Sequence, residues 1–144
     1  MADYSRTRTS LKTVMADIKT DLATGLGSSV NVDEHTYPSI EDVFYFLSSI
    51  QTPCAILIYS DSQYDDEPHR SSTFQLALFT RNFGDNPSAL DDCQDLVETA
   101  ITTLDHQLYE NDTILVRVVS DKMIKMSKNA GPVGMIVTFK VEDY

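Results

Sequence analysis

Cysteine is scarce in this 144-residue sequence, which contains Cys54 and Cys93 alone. Two cysteines make a poor disulfide framework, and both lie within apolar patterns, so we expect two reduced, buried thiols in a reducing compartment. Long apolar runs are lacking too, since the longest, Cys54 to Tyr59, is far shorter than the roughly 20 residues that span a membrane. Because Met1 to Ser10 is polar with no apolar run behind it, we expect no signal peptide and no membrane partner.

Basic residues are also few, because 11 lysines and arginines stand against 22 acidic residues, a net charge of −11. Phosphate contacts need clustered Lys and Arg, so we expect no sequence-specific binding of nucleic acid. The stretch from Asn31 to Glu110 holds 15 acidic residues and two bases, Arg70 and Arg81, whereas the two ends together hold seven acids and nine bases. This separation suits head-to-tail association of copies, and a solvated acidic surface explains it equally well.

Catalytic motifs are missing from the sequence. There is no Gly-x-Ser-x-Gly elbow, and Gly25 and Gly27 lack the third glycine and the preceding strand of a phosphate-binding loop. Hydrolysis needs a nucleophile, a base and an orienting group, but His35, His69 and His106 occur in unrelated contexts. We therefore expect no enzyme activity and no cofactor.

One acidic cluster has the ligand types of a metal site: Asp61, Asp65, Asp66, Glu67 and His69. Hard cations need several oxygens held in a defined shape. These carboxylates are instead bunched within one predicted loop, and the glycine of an EF-hand turn is missing. We expect no metal ion here, and we interpret the loop as solvated or facing a partner.

The most basic local feature is the triplet Lys122, Lys125 and Lys128. It is weak as a nucleic-acid patch because no aromatic side chain lies nearby to stack on a base. Two interpretations remain, either three solvated lysines or a docking strip for the acidic loop of a neighbouring copy. On the second interpretation, the candidate contact residues between copies are Asp61, Tyr64, Asp65, Asp66, Glu67, Arg70, Lys122, Lys125 and Lys128.

The length and an apolar fraction of 42% predict one domain, residues 1–144, with a flexible N-terminus at residues 1–8. Apolar residues at helical spacing predict three helices: Leu11 to Leu22, Ile40 to Ile50, and Pro87 to Tyr109. Leu108 would lie on the buried face of the third helix.

Short β-rich runs predict five strands: Val30 to Val32, Cys54 to Ser60, Thr73 to Arg81, Ile114 to Val119, and Val133 to Val141. The run from Cys54 is continuously apolar, which indicates a strand buried on both faces. The polar residues 61–71 predict a long, exposed hairpin tip, and residues 120–134 a second exposed connection. The predicted fold class is α+β, a largely antiparallel or mixed sheet of four to five strands with two to three helices packed on one face.

This order of elements resembles the tail terminator, or tail completion, proteins of long-tailed bacteriophages. The resemblance covers nearly the whole chain and rests on a combination of features. An amphipathic opening helix leads into a short strand, and Thr52, Pro53 and Cys54 place a proline before the first long strand. A polar hairpin tip, a long helix after Asn86 and Pro87, and a final strand preceded by a glycine turn complete the pattern. The predicted helix Ile40 to Ile50 has no clear counterpart in the family.

The resemblance implies a small subunit that closes into a homo-oligomeric ring, usually a hexamer. Such a ring sits on the last layer of the tail tube, contacts the major tail tube protein, ends tube polymerisation and offers a surface to a neck or connector protein. It further implies a place in the virion tail, after assembly in the cytoplasm of the bacterial host, and no catalytic residues. Two alternatives stay open: a head–tail connector (neck) subunit, and a monomeric adaptor that binds a partner strand at its sheet edge.

Overall fold

The computed structural model describes residues 10–34, 53–64, 70–83, 87–110, 113–124 and 132–143. These ranges contain two helices, α1 (Leu11–Leu26) and α2 (Pro87–Leu104), and six strands, β1 (Asn31–Glu34), β2 (Cys54–Tyr64), β3 (Arg70–Phe83), β4 (Leu108–Tyr109), β5 (Ile114–Ile124) and β6 (Pro132–Asp143). The predicted helix at residues 40–50 and the predicted flexible N-terminus at residues 1–8 lie outside the described residues.

The strands form one mixed sheet in the order β1-β2-β3-β6-β5-β4. Strand β1 runs parallel to β2, and every other neighbouring pair is antiparallel. The predicted α+β class is therefore confirmed, but the prediction of four to five strands is wrong, because the described sheet has six.

The strand that the sequence did not predict is β4, which forms because α2 ends earlier than predicted. The helix stops at Leu104, and a tight turn follows in which His106 has a positive φ of 63°. The chain then returns as β4, which places Leu108 opposite Leu115 of β5. Leu108 is exposed on this short strand, so the prediction that it lies on the buried face of a helix is wrong.

Helix α1 follows its sequence pattern closely. The Ser10 side chain caps its start by accepting a hydrogen bond from the Lys12 N–H at 3.2 Å. Four apolar residues at helical spacing are fully or almost fully buried: Val14, Met15, Ile18 and Leu22. The helix ends at Leu26 and is followed by Gly27, the C-cap, whose positive φ of 92° suits glycine. It is thus four residues longer than predicted.

The main core lies between one face of the sheet and the two helices. Alternate residues of the central strands point into it, and Phe74 of β3 stacks on Phe139 of β6 with ring centroids 5.6 Å apart. Tyr59 of β2 meets Phe74 edge-on at 5.4 Å. We call this side of the sheet the helix face and the other side the far face.

The far face is divided into a buried corner and a polar region. Cys54, Ile56 and Ile58 are buried there, and so are Ala77 and Phe79 on the neighbouring strand. Since the helix-face residues between them are buried too, the prediction that β2 starts as a strand buried on both faces is confirmed. Further along the sheet, the far face carries exposed polar side chains on β5.

Both hairpins are longer than predicted. Strand β2 continues through a bulge after Tyr59 to Tyr64, which pairs with Arg70 at the start of β3. The prediction that residues 61–71 form an exposed tip is therefore wrong for 61–64 and 70–71, which belong to the sheet. Strand β5 likewise continues through a bulge after Val118 to Ile124. Polar composition suggested loops, but backbone pairing does not depend on apolar side chains, and the Ser62 and Ser72 hydroxyls bond across the strands at 2.7 Å.

Close packing at Gly134 gives a test of the buried corner. A Cβ atom added there would lie 2.5 Å from Cε1 of Phe79, a fully buried ring, and 3.3 Å from the carbonyl oxygen of Leu78. Gly134→Ala should therefore lower the free energy of unfolding by about 1–3 kcal/mol in urea denaturation. Gly25→Ala is the control, because its new Cβ would meet only the rotatable Thr103 side chain in an exposed helix turn. Equal losses in the two variants would contradict the packing described here.

Candidate interaction surface

The described candidate contact residues separate into exposed and buried ones. Asp61 and Tyr64 are exposed near the end of β2, and Lys122 is exposed near the end of β5. Arg70 is buried instead. The other candidates lie outside the described residues: Asp65, Asp66, Glu67, Lys125 and Lys128.

Asp61 and Lys122 lie toward opposite ends of the sheet. The end that carries Asp61 is the one where Arg70 of β3 pairs with Asp143 of β6. The end that carries Lys122 is the one where Ile124 of β5 pairs with Gly134 of β6. Contact between Asp61 and Lys122 therefore requires two copies of the chain, which is the arrangement that the docking interpretation assumes.

Strand β1 covers only part of the outer edge of β2. Strand β1 pairs with residues 54–57. No described strand lies beside the remainder, Ile58–Tyr64, which we call the β2 edge segment. Most of its side chains are exposed on both faces of the sheet: Tyr59, Ser60, Asp61, Gln63 and Tyr64.

The outer edge of β5 is covered over its first part. Strand β4 pairs with residues 114–115, and the turn after α2 continues the cover, since Val116 exchanges backbone hydrogen bonds with His106 and Gln107. The Asp105 carboxylate accepts a hydrogen bond from the Val118 N–H at 3.0 Å, and this bond is the main reason why the pKa of Asp105 is lowered. Beyond it, no described element pairs with the outer edge of Val119–Ile124, which we call the β5 edge segment.

Exposed apolar side chains concentrate on these two edge segments. Among the described residues, five large hydrophobic side chains are exposed, and four of them lie here: Tyr59 (37%), Tyr64 (58%), Val119 (53%) and Met123 (41%). Uncovered strand edges that carry apolar groups are sites of association. Sequence reasoning missed Tyr59, Val119 and Met123, because each lies in a short run that resembles ordinary strand or loop.

Arg70 fixes the end of the sheet next to the β2 edge segment. Its guanidinium lies 3.2 Å from the Asp143 carboxylate, and the two side chains are 10% and 3% exposed. The ion pair joins the start of β3 to the end of β6. The expectation that Arg70 is exposed on a hairpin tip is thus wrong, because its pairing within the sheet buries it.

A second polar contact holds β4 in place. The Tyr109 hydroxyl donates a hydrogen bond to Asp21 of α1 at 2.6 Å, and burial, with Asp21 next, raises the pKa of this tyrosine. A hydrogen bond with Asp17 raises the pKa of the neighbouring Glu110. These contacts attach β4 and the residue after it to α1.

Both cysteines are free and buried. Burial raises the pKa of Cys54 to about 12 and that of Cys93 to about 11, so neither is a thiolate at neutral pH, as the prediction of two buried, reduced thiols requires. Within the described ranges, no three His, Cys, Asp or Glu side chains are grouped to hold a metal ion. Of the acidic cluster considered from the sequence, Asp61 is the member that these ranges include.

Neither described helix is long and apolar enough to cross a membrane. The sequence matches no protein-family model and no curated protein significantly.

The buried ion pair indicates that Arg70 stabilises the folded monomer. Arg70→Met leaves the buried Asp143 carboxylate without its charged partner, so the free energy of unfolding should fall by about 3–5 kcal/mol. Arg117→Met is the matched control, because Arg117 is half exposed and lies 3.8 Å from Glu142, a pair worth about 0–1 kcal/mol. Urea denaturation of both variants measures the difference, and similar losses would show that Arg70 has no special structural role.

Proposed function

We propose that this chain is a structural subunit that forms a ring on the end of a bacteriophage tail tube, and the resemblance to tail terminator proteins implies a hexamer. The ring ends tube polymerisation and joins the tail to the neck. The observation that carries this proposal is the presence of two different exposed edge segments on opposite sides of one sheet.

A closed ring needs this kind of asymmetry. Each subunit in a ring uses one surface to contact the copy before it and a different surface to contact the copy after it. The β2 edge segment and the β5 edge segment supply such a pair of surfaces. The order of secondary structure, which resembles tail terminator proteins, supplies the link to the tail tube.

Charge supports the same arrangement in a secondary way. The exposed Asp61 and Lys122 lie in different edge segments, and the acidic residues Asp65 to Glu67 follow the first in sequence as Lys125 and Lys128 follow the second. Exposed ion pairs contribute about 0–1 kcal/mol each, so they align copies, whereas apolar and backbone contacts hold them together.

The test combines the purified chain with the major tail tube protein of the same virus. The chain is expected to form rings, alone or on tube ends, and to stop tube growth, which light scattering and electron microscopy of tube lengths measure. A chain that remains monomeric and leaves tubes growing would contradict the proposal. Capture of a different protein by that monomer would favour the adaptor alternative, which the same uncovered edges also suit.

A further inference from the structure

We infer that neighbouring copies join by antiparallel pairing of the β2 edge segment of one copy with the β5 edge segment of the next, in the register that places Asp61 opposite Lys122. This inference rests on the ring-forming role proposed above and specifies its interface. The partner is a second copy of this chain.

Strand direction favours this pairing. Strands β2 and β6 run one way across the sheet, and β3 and β5 run the other way. When two copies lie side by side with their helices on the same side, β5 of the first is antiparallel to β2 of the second. The pairing extends to both edge segments the ladder of hydrogen bonds that β1 and β4 give to the rest of these strands.

The facing directions of the side chains agree with the register. Asp61 pairs within its sheet with Thr73, and Lys122 pairs with Ile136. Both partners alternate with core residues of the helix face, so Asp61 and Lys122 point to the far face. Opposite charges facing each other across antiparallel strands are favourable, and the same register places Gln63 opposite Ser120.

The exposed apolar residues meet in the same register. Tyr64 lies three positions along from the Asp61–Lys122 pair, where the bulge at Val119 places it opposite Val118 and next to Val119. On the other side of that pair, the bulged Ser60 occupies no position in the strand ladder. Tyr59 therefore takes the position next to Asp61 and lies opposite Met123. Four of the five exposed large hydrophobic side chains of the described residues therefore become covered by one contact.

The register also gives the stagger that a closed ring of strands needs. Within one copy, Lys122 is level with Ile56, through Ile136 and Ala77. Asp61 is five residues beyond Ile56, and one of the five is the bulged Ser60, so each copy is offset by four strand positions, or about 13 Å. Four strands per copy span about 19 Å, which corresponds to a strand tilt of about 35°, a typical value for closed barrels.

Pairing of an edge segment with the same segment of a second copy is less favourable. A symmetric pair centred on the β2 edge segment places Asp61 opposite Asp61. A symmetric pair of β5 edge segments places Lys122 opposite Lys122 or Asp121 opposite Asp121, according to its centre. Like charges directly opposite each other are destabilising, so the charges favour the contact between unlike segments.

Disulfide cross-linking tests the register directly. The test uses the double variant Gln63→Cys/Ser120→Cys, assembled alone or on tail tubes and then oxidised. Non-reducing gels should show covalent multimers up to the size of the ring, because residues paired across neighbouring strands have the Cα spacing of a disulfide. The native cysteines are buried and do not interfere. Each single variant should give no ladder, and Gln63→Cys/Thr138→Cys is the control, because Thr138 lies one strand further away. Disulfide dimers of Ser120→Cys alone would show symmetric pairing and overturn the inference.

Charge reversal provides an independent test in the same assembly. Lys122→Glu should weaken association by about two- to fivefold per contact at low salt, and adding Asp61→Lys should restore it. Lys12→Glu, an equal charge change on the exposed part of α1, should leave association unchanged. If the copies assemble but do not cross-link, and if Lys122→Glu and Asp61→Lys do not change association as expected, this pairing is wrong and the proposed ring role still stands. A chain that never assembles, with or without tubes, overturns both.

Discussion

Strand length is the constraint on which the rest of this structure depends, because the two outer strands are shorter than the strands they cover. Strand β1 has four residues beside the 11 of β2, and β4 has two beside the 11 of β5. The turn after α2 extends the second cover as far as Val118, and no other described residue extends it. The uncovered lengths are diagonal to each other, one on each side of the sheet and toward opposite ends.

The central ladder makes these edges rigid enough to act as surfaces. Strands β3 and β6 pair from Arg70 and Asp143 at one end to Phe79 and Gly134 at the other. The stacked rings of Phe74 and Phe139 fill the helix face of that ladder, and a buried ion pair closes one end. Each edge segment is therefore one strand removed from the best-packed part of the molecule, and pairing needs little reorganisation of either copy.

The sequence predicted the parts of the fold that burial imposes. The spacing of Val14, Met15, Ile18 and Leu22 predicted α1, and the continuous apolar run from Cys54 predicted a strand buried on both faces. Where polar residues form structure through backbone pairing, the sequence predicted loops, as at residues 61–64 and 120–124. Helical spacing also continued past Leu104, although the turn at His106 ends the helix there. Whether a strand edge is paired depends on the length of a neighbouring strand that is distant in sequence. No local sequence pattern could therefore have indicated the two edge segments.

Amide hydrogen exchange of the free and assembled chain tests most directly the claim that these two edges join copies. Exchange should slow on assembly in both edge segments together, at Ser60–Tyr64 and at Val119–Met123. The amides of Cys54–Leu57, already covered by β1, should change little and serve as an internal reference. Slowing in one edge segment alone, or in neither, would contradict the account.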